Sequence, residues 1–192
     1  MRLFASGRES LDVAYAGDVV GLLNPGAFAI GDSLYEGKPA DFPPIPSFAP
    51  EHFAAVRSRD VSGYKSFGKG IAQLREEGAV QVFYPFGAPR TEPILGAVGE
   101  LQFEVAAYRL ASEYNVTPAL TRLPYRLARR VVSEAPAVKL QLPSNAKLVE
   151  DWEGDPVALF ESDWSLRLAR EWNPDATFAA FTAELEPEVM AS

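Results

Sequence analysis

The 192-residue chain contains no cysteine. That absence excludes disulfides, thiolate zinc ligands and cysteine nucleophiles together, and it suits a reducing compartment. Histidine is almost as scarce: His52 is the single one, so a Ser-His-Asp triad would have to be built on it. It follows Pro50 and Glu51, and the sequence holds no GxSxG nucleophile elbow. A surface or strand-edge histidine is the expected reading. No apolar stretch nears the roughly 20 residues that span a bilayer, because Asp, Glu, Arg or Pro recurs every few positions. Ser6 to Glu9 interrupt the run of Leu3, Phe4 and Ala5 before it reaches signal-peptide length. Neither membrane insertion nor export is expected, and the location is expected to be cytoplasmic.

Basic charge is also short, with 18 Lys and Arg against 26 Asp and Glu and a net charge of −8. A free-standing nucleic-acid binder draws its affinity from Lys and Arg meeting phosphates, so that class is disfavoured and no DNA partner is expected. The deficit is uneven. Residues 61–135 hold 9 basic and 7 acidic side chains, whereas residues 136–192 hold 4 basic and 11 acidic. The middle of the chain can face RNA; its end cannot.

What is present is ordinary globular material: 47% hydrophobic and 23% charged residues, enough for one domain, or one domain plus a remnant. Leu11–Tyr15, Asp18–Leu23 and Ala27–Ile30 read as short strands separated by Gly17, Asn24–Gly26, Gly31 and Asp32. Three such strands cannot close a barrel, so residues 1–45 are expected to be a partial β-barrel remnant with a linker stiffened by Pro39, Pro43, Pro44, Pro46 and Pro50. Residues 46–192 form the second expected unit. Phe53–Arg57 reads as a strand. Tyr64, Phe67, Ile71 and Leu74 then recur at spacings of three and four, with Gly78 as the stop, which predicts a helix.

Ala79–Tyr84 and Ile94–Val98 predict a hairpin. Gly99 opens a second helix with two apolar stripes, Leu101, Val105 and Tyr108 on one and Phe103, Ala107, Leu110 and Tyr114 on the other, so burial on two sides is expected up to Asn115. Val116–Arg122 and Arg126–Val132 resume strand character. The expected fold is α+β, a ferredoxin-like βαββαβ core with a carboxy-terminal β-rich extension. In that extension Val138–Leu142, Lys147–Trp152 and Trp164–Ala169 read as strands, Val157–Ser162 as a helical turn, and Glu184–Ser192 as a frayed end.

Candidate chemistry is thin. GYKSFGKG at 63–70 fits seven positions of GxxxxGK[ST] but places Gly70 where magnesium binding needs a hydroxyl, and Tyr64 and Phe67 belong to the helix stripe. A glycine-tolerant helix is expected there. Glu76 with Glu77 and Glu100 with Glu104 read as solvated helix faces. Trp152, Trp164 and Trp172 read as core, with a peptide-binding surface as the other possibility. No catalytic, cofactor or metal residue is assigned. Lys65 and Lys69 lie one turn apart, and Arg122, Arg126, Arg129 and Arg130 gather around Tyr125. Guanidinium forks with a stacking aromatic suit RNA, and a solvated strand edge has the same composition. These seven residues are the candidate RNA contacts.

Several strings point further: AYAGDVVGLLN and IGDSL within 14–34, SFAPEHF at 47–53, EEGAVQVF at 76–83, GAVGELQFEV and RLASEYNV within 96–116, and LVEDWEGDPVALFESDW with LRLAREWNPDATF beyond 147. Together they resemble the bacterial peptide chain release factor 3 family of translational GTPases, over nearly the whole chain. The resemblance implies a parent with an amino-terminal GTPase domain, a barrel and a carboxy-terminal domain. That parent would use GTP and Mg on the ribosome to recycle class I release factors, touching ribosomal RNA and ribosomal proteins. The family's phosphate loop, switch regions and guanine-specificity motif have no counterpart here, so no GTP residue carries over, and the chain is expected to be a non-catalytic carboxy-terminal portion. An independent small-molecule binder on a ferredoxin-like sheet, and a structural oligomer module, are the rival readings.

Overall fold

The computed structural model describes residues 2–4, 7–9, 12–23, 27–28, 31–40, 42, 48–60, 63–133 and 137–181. The chain divides into two units, Met1–Phe42 and Pro43–Ser192. In the first, β1 (Arg2–Phe4) pairs antiparallel with β2 (Gly7–Glu9). The described residues of the three strands expected between 11 and 30 carry no strand. Instead Asp18 ties the chain into a turn, its amide donating to the Tyr15 carbonyl at 2.9 Å and its Oδ2 accepting from the Tyr15 amide at 3.0 Å, with Gly17 at φ +96° between them.

Among the described residues the second unit is an eight-stranded antiparallel sheet with three helices. Its strands are β3 (His52–Ser58), β4 (Gln81–Pro85), β5 (Ile94–Ala97), β6 (Pro118–Leu123), β7 (Leu127–Ser133), β8 (Ala146–Glu150), β9 (Pro156–Phe160) and β10 (Ala176–Ala179). They stand in the order β10-β7-β9-β8-β4-β5-β3-β6. The helices are α1 (Tyr64–Glu76), α2 (Leu101–Tyr114) and α3 (Asp163–Trp172). The expected order strand, helix, strand, strand, helix, strand is met by β3, α1, β4, β5, α2 and β6.

Alternation along the strands sorts the core into layers. Ala54, Val56, Val82, Tyr84 and Leu95 point to one face, where they meet Phe67, Ile71 and Leu74 of α1 and Phe103, Ala106 and Leu110 of α2. Phe53, Phe83 and Ile94 point the other way, onto Ala128, Val149, Val157 and Leu159 of the second half of the sheet. The far side of that half, through Val131, Ala158 and Phe160, carries Leu166 and Ala169 of α3. Arg90 ties the halves together: its guanidinium donates to Glu150 Oε1 at 2.9 Å and to the Trp152 carbonyl at 2.8 Å, and lies 5.0 Å from the Tyr84 ring centre.

Three expectations in the extension are corrected. Trp164–Ala169 is helix, because Ser162 and Ser165 cap each other reciprocally and the buried set is Ser165, Leu166 and Ala169, a spacing of three to four. Val157–Phe160 is strand, because β9 lies between β7 and β8 with core on both faces and so shows a continuous apolar run. Val138–Leu142 is no strand: a 3-10 turn covers Ala137–Lys139, and the Gln141 backbone pairs with the Asn173 side chain, accepting at 2.8 Å and donating at 2.9 Å. The expected frayed end at 184–192 lies outside the described residues. Among the described residues no helix is long and apolar enough to cross a membrane.

The two-sided burial expected of α2 is also corrected. Phe103 and Leu110 are fully buried, but Leu101, Val105 and Tyr108 are exposed, because α1 and the sheet meet only one flank of this helix. Likewise Trp164 and Trp172 stand exposed on α3, while Trp152 is half-buried against Tyr84, with ring centres 6.0 Å apart. Core packing therefore describes only one of the three tryptophans.

Candidate nucleic-acid interface

Residues 63–70 show why a motif needs its context. They enter α1 directly, with Gly63 as N-cap, so from Phe67 onward their amides are committed to the helix. Gly70 is fixed by packing: a Cβ built there meets Leu110 Cδ2 at 2.6 Å and the Tyr114 ring at 3.1 Å. Lys65 and Lys69 project from the exposed side of this helix, and neither has a side-chain partner among the described residues.

The four arginines expected around Tyr125 do not form one cluster. Arg122 lies on the helix side of β6, where Nε donates to Glu100 Oε2 at 2.7 Å and the guanidinium sits 4.5 Å from the Phe103 ring centre. The same Glu100 meets His52 Nδ1 at 3.1 Å, so His52, the first residue of β3, stands half-buried beside a carboxylate. Tyr125 packs edge-on against Phe53 at 6.4 Å, so its ring belongs to the core, and burial pushes its hydroxyl above the usual tyrosine range. Arg126 is exposed between β6 and β7 with no side-chain partner among the described residues. Arg129 and Arg130 are consecutive on β7 and leave opposite faces: Arg129 Nη1 donates to the Ala128 carbonyl at 2.8 Å, and Arg130 stacks 5.2 Å from the Phe181 ring centre.

The remaining arginines separate into spent and unspent charges. Arg109 is spent: it grips Glu113 with two bonds of 2.8 and 3.0 Å and reaches Glu77, the C-cap of α1. Arg75 is spent on Glu153 and stacks 5.0 Å from the Trp152 ring centre. Unspent are Arg167 on α3, and Arg57 and Arg59, exposed at the end of β3, all three without side-chain partners among the described residues. Sequence reading passed over Arg57 and Arg59 as the end of a strand. No local sequence signal marks them, since Arg59 follows the strand at a bend and their freedom from carboxylates is set by long-range placement.

The Arg109 hydrogen bond holds the Glu77 carboxyl below its ordinary value of 4.5, as the same guanidinium does for Glu113. A carboxyl with a lowered native pKa stabilises the fold above the unfolded-state value and loses that contribution as pH falls through the native value. Stability followed by urea unfolding is therefore expected to drop below about pH 4.5 and to do so less steeply in Arg109→Gln. An identical pH slope in the variant would show that the pair does not couple to folding.

The depressions found among the described residues are open ones. One of them, about 500 Å³, is lined by Arg57, Ser58, Arg59 and Ala119. Among the described residues no group of His, Cys, Asp and Glu side chains is placed to hold a metal ion.

The profile of the family described as Class II release factor RF3, C-terminal domain, matches residues 42–170, which take in β3 to β9. The chain is 51% identical over 165 residues to a protein named Peptide chain release factor 3 from Cyanothece sp., covering 85% of this chain and 30% of that relative. It is 46% identical over 179 residues to the protein of the same name from Symbiobacterium thermophilum, and 47% identical over 180 residues to that of Nostoc punctiforme, each covering 93% of this chain. The chain spans about a third of the length of these relatives. It belongs to the peptide chain release factor 3 family, a group of translation termination factors, and carries that family's carboxy-terminal domain.

Proposed function

We propose that this chain is the ribosome-facing part of a translation termination factor whose complete form uses GTP and Mg to recycle class I release factors in the cytoplasm. In this reading residues 1–45 are a remnant of the parent's β-barrel and residues 46–192 its carboxy-terminal domain. That domain's first six elements, with strands in the order β4-β5-β3-β6, are a ferredoxin-like core. GTP chemistry belongs to the amino-terminal domain that the family resemblance implies, and the portion described here positions rather than catalyses. Supporting this reading, the family match falls on a domain whose unspent cations, Lys65, Lys69 and Arg126, stand outside the core with no carboxylate partner among the described residues. Long-range attraction of such groups to ribosomal RNA would set the docking orientation, and contacts with ribosomal proteins would complete it.

The triple variant Arg126→Ala, Arg129→Ala, Arg130→Ala tests the reading. Binding to bacterial ribosomes, followed by co-sedimentation over a salt series, is expected to weaken about tenfold with a shallower salt slope. Unchanged affinity and slope would reject these arginines as contacts.

A further inference from the structure

Arg57 is the sixth residue of β3, Arg59 follows directly after its end at a bend, and both line one depression. Their backbone is held firmly. Ser58 Oγ donates to the Asp60 carbonyl at 2.8 Å and accepts from the Asp60 amide at 3.2 Å, while the Arg59 amide donates to the Thr117 carbonyl at 3.0 Å. Two guanidinium groups without side-chain partners among the described residues thus flank a depression of about 500 Å³ whose lining contains no carboxylate.

The surroundings narrow the ligand. β6 closes the sheet on this side, so its outer backbone edge meets no other strand among the described residues. A second, smaller depression of about 190 Å³ shares Arg57 and Ala119 with the first and is lined besides by Ala55, Val56, Thr121 and Glu92, the last level with Arg57 on the β5 side of β3. The two depressions therefore hold two cations and, beside Arg57, one anion. An acidic peptide would match the arginines and be repelled by Glu92. An RNA strand matches both, since a phosphate meets the guanidinium forks while a ribose 2′-hydroxyl or base amino group on the next nucleotide donates to Glu92.

We infer that the surface formed by Arg57, Arg59 and Glu92 at the end of β3 is a phosphate-anchored contact for a single-stranded or looped segment of ribosomal RNA. The inference rests on the ribosomal reading above and assigns it a contact site separate from the β7 arginines.

The test uses the full 192-residue chain with Arg57→Gln and Arg59→Gln together, probed with ribosomal RNA stripped of protein and with intact ribosomes. Both arginines are exposed, so the melting temperature is expected to hold. Affinity for stripped RNA is expected to fall about tenfold, and the salt slope to decrease by about one, each single-strand phosphate contributing about 0.7. Arg57→Lys with Arg59→Lys is expected to recover part of the affinity and the full slope. Unchanged RNA affinity, or a loss seen with ribosomes but not with stripped RNA, would overturn the site, the second outcome pointing to an acidic protein partner. If the unaltered chain binds stripped RNA through these arginines but ignores ribosomes, the site stands and the proposed function fails.

Discussion

Phe103→Ala is expected to lower the unfolding free energy by about 3–5 kcal/mol, read as a shifted urea midpoint at constant slope. Phe103 is fully buried at the point where α2 meets the sheet, in the cluster that also holds Ala54, Leu95 and Leu110. Its removal costs the transfer of the ring and leaves a cavity that neighbours of fixed backbone cannot fill. It also strips the Arg122 guanidinium of the ring lying 4.5 Å from it, leaving that arginine only its Glu100 partner. The companion measurement is Tyr108→Ser on the same helix. Tyr108 is 73% exposed, so the change is expected to stay within about 0.5 kcal/mol. Equal losses in the two variants would mean that the exposed stripe of α2 is core after all.

That contrast marks how far the sequence could be read. The course from β3 to β6 was legible because each helix carries a terminator with a physical reason: Gly78 at φ +68° after α1, and Asn115 in the left-handed conformation at φ 53° after α2. Apolar periodicity found both helices but could not tell which stripe of α2 would be covered, since Leu101, Val105 and Tyr108 are as apolar as the buried set. Only the placement of α1 decides that. In the extension, WSLRLA at 164–169 alternates as a strand should, and the local choice was overruled by the mutual capping of Ser162 and Ser165. PVALF at 156–160 offered no alternation, since both faces of β9 are buried.

The candidate interface was legible in composition and not in geometry. Counting arginines near Tyr125 found a cationic segment, but strand alternation sends Arg129 and Arg130 to opposite faces, and a carboxylate from α2, Glu100, takes Arg122. Tyr125 turned inward because Phe53, far away in sequence, offers it a ring edge-on. Whether a cation is available to a ligand depends on such long-range partners. For that reason Arg57 and Arg59, unremarkable in sequence, emerge only when the ion pairs of the folded chain are assigned.

The glycines of α1 separate two explanations of the same octapeptide by the sign of one substitution. Gly70→Ala is expected to destabilise the fold by about 1–3 kcal/mol, because the new methyl would lie 2.6 Å from Leu110 Cδ2 and 3.1 Å from the Tyr114 ring. Leu110 is fully buried and cannot swing away, so α1 and α2 must separate or Leu110 must leave its rotamer. Gly68, two residues earlier on the same helix, has nothing within 4 Å of such a methyl. There alanine improves helix propensity and reduces the freedom of the unfolded chain, and about 0.5–1 kcal/mol of stabilisation is expected. Thermal or urea unfolding of the two single variants decides the matter. Opposite signs are the mark of a helix whose second glycine is set by close packing, whereas two equal stabilisations would show that the α1–α2 contact at Gly70 has room to spare.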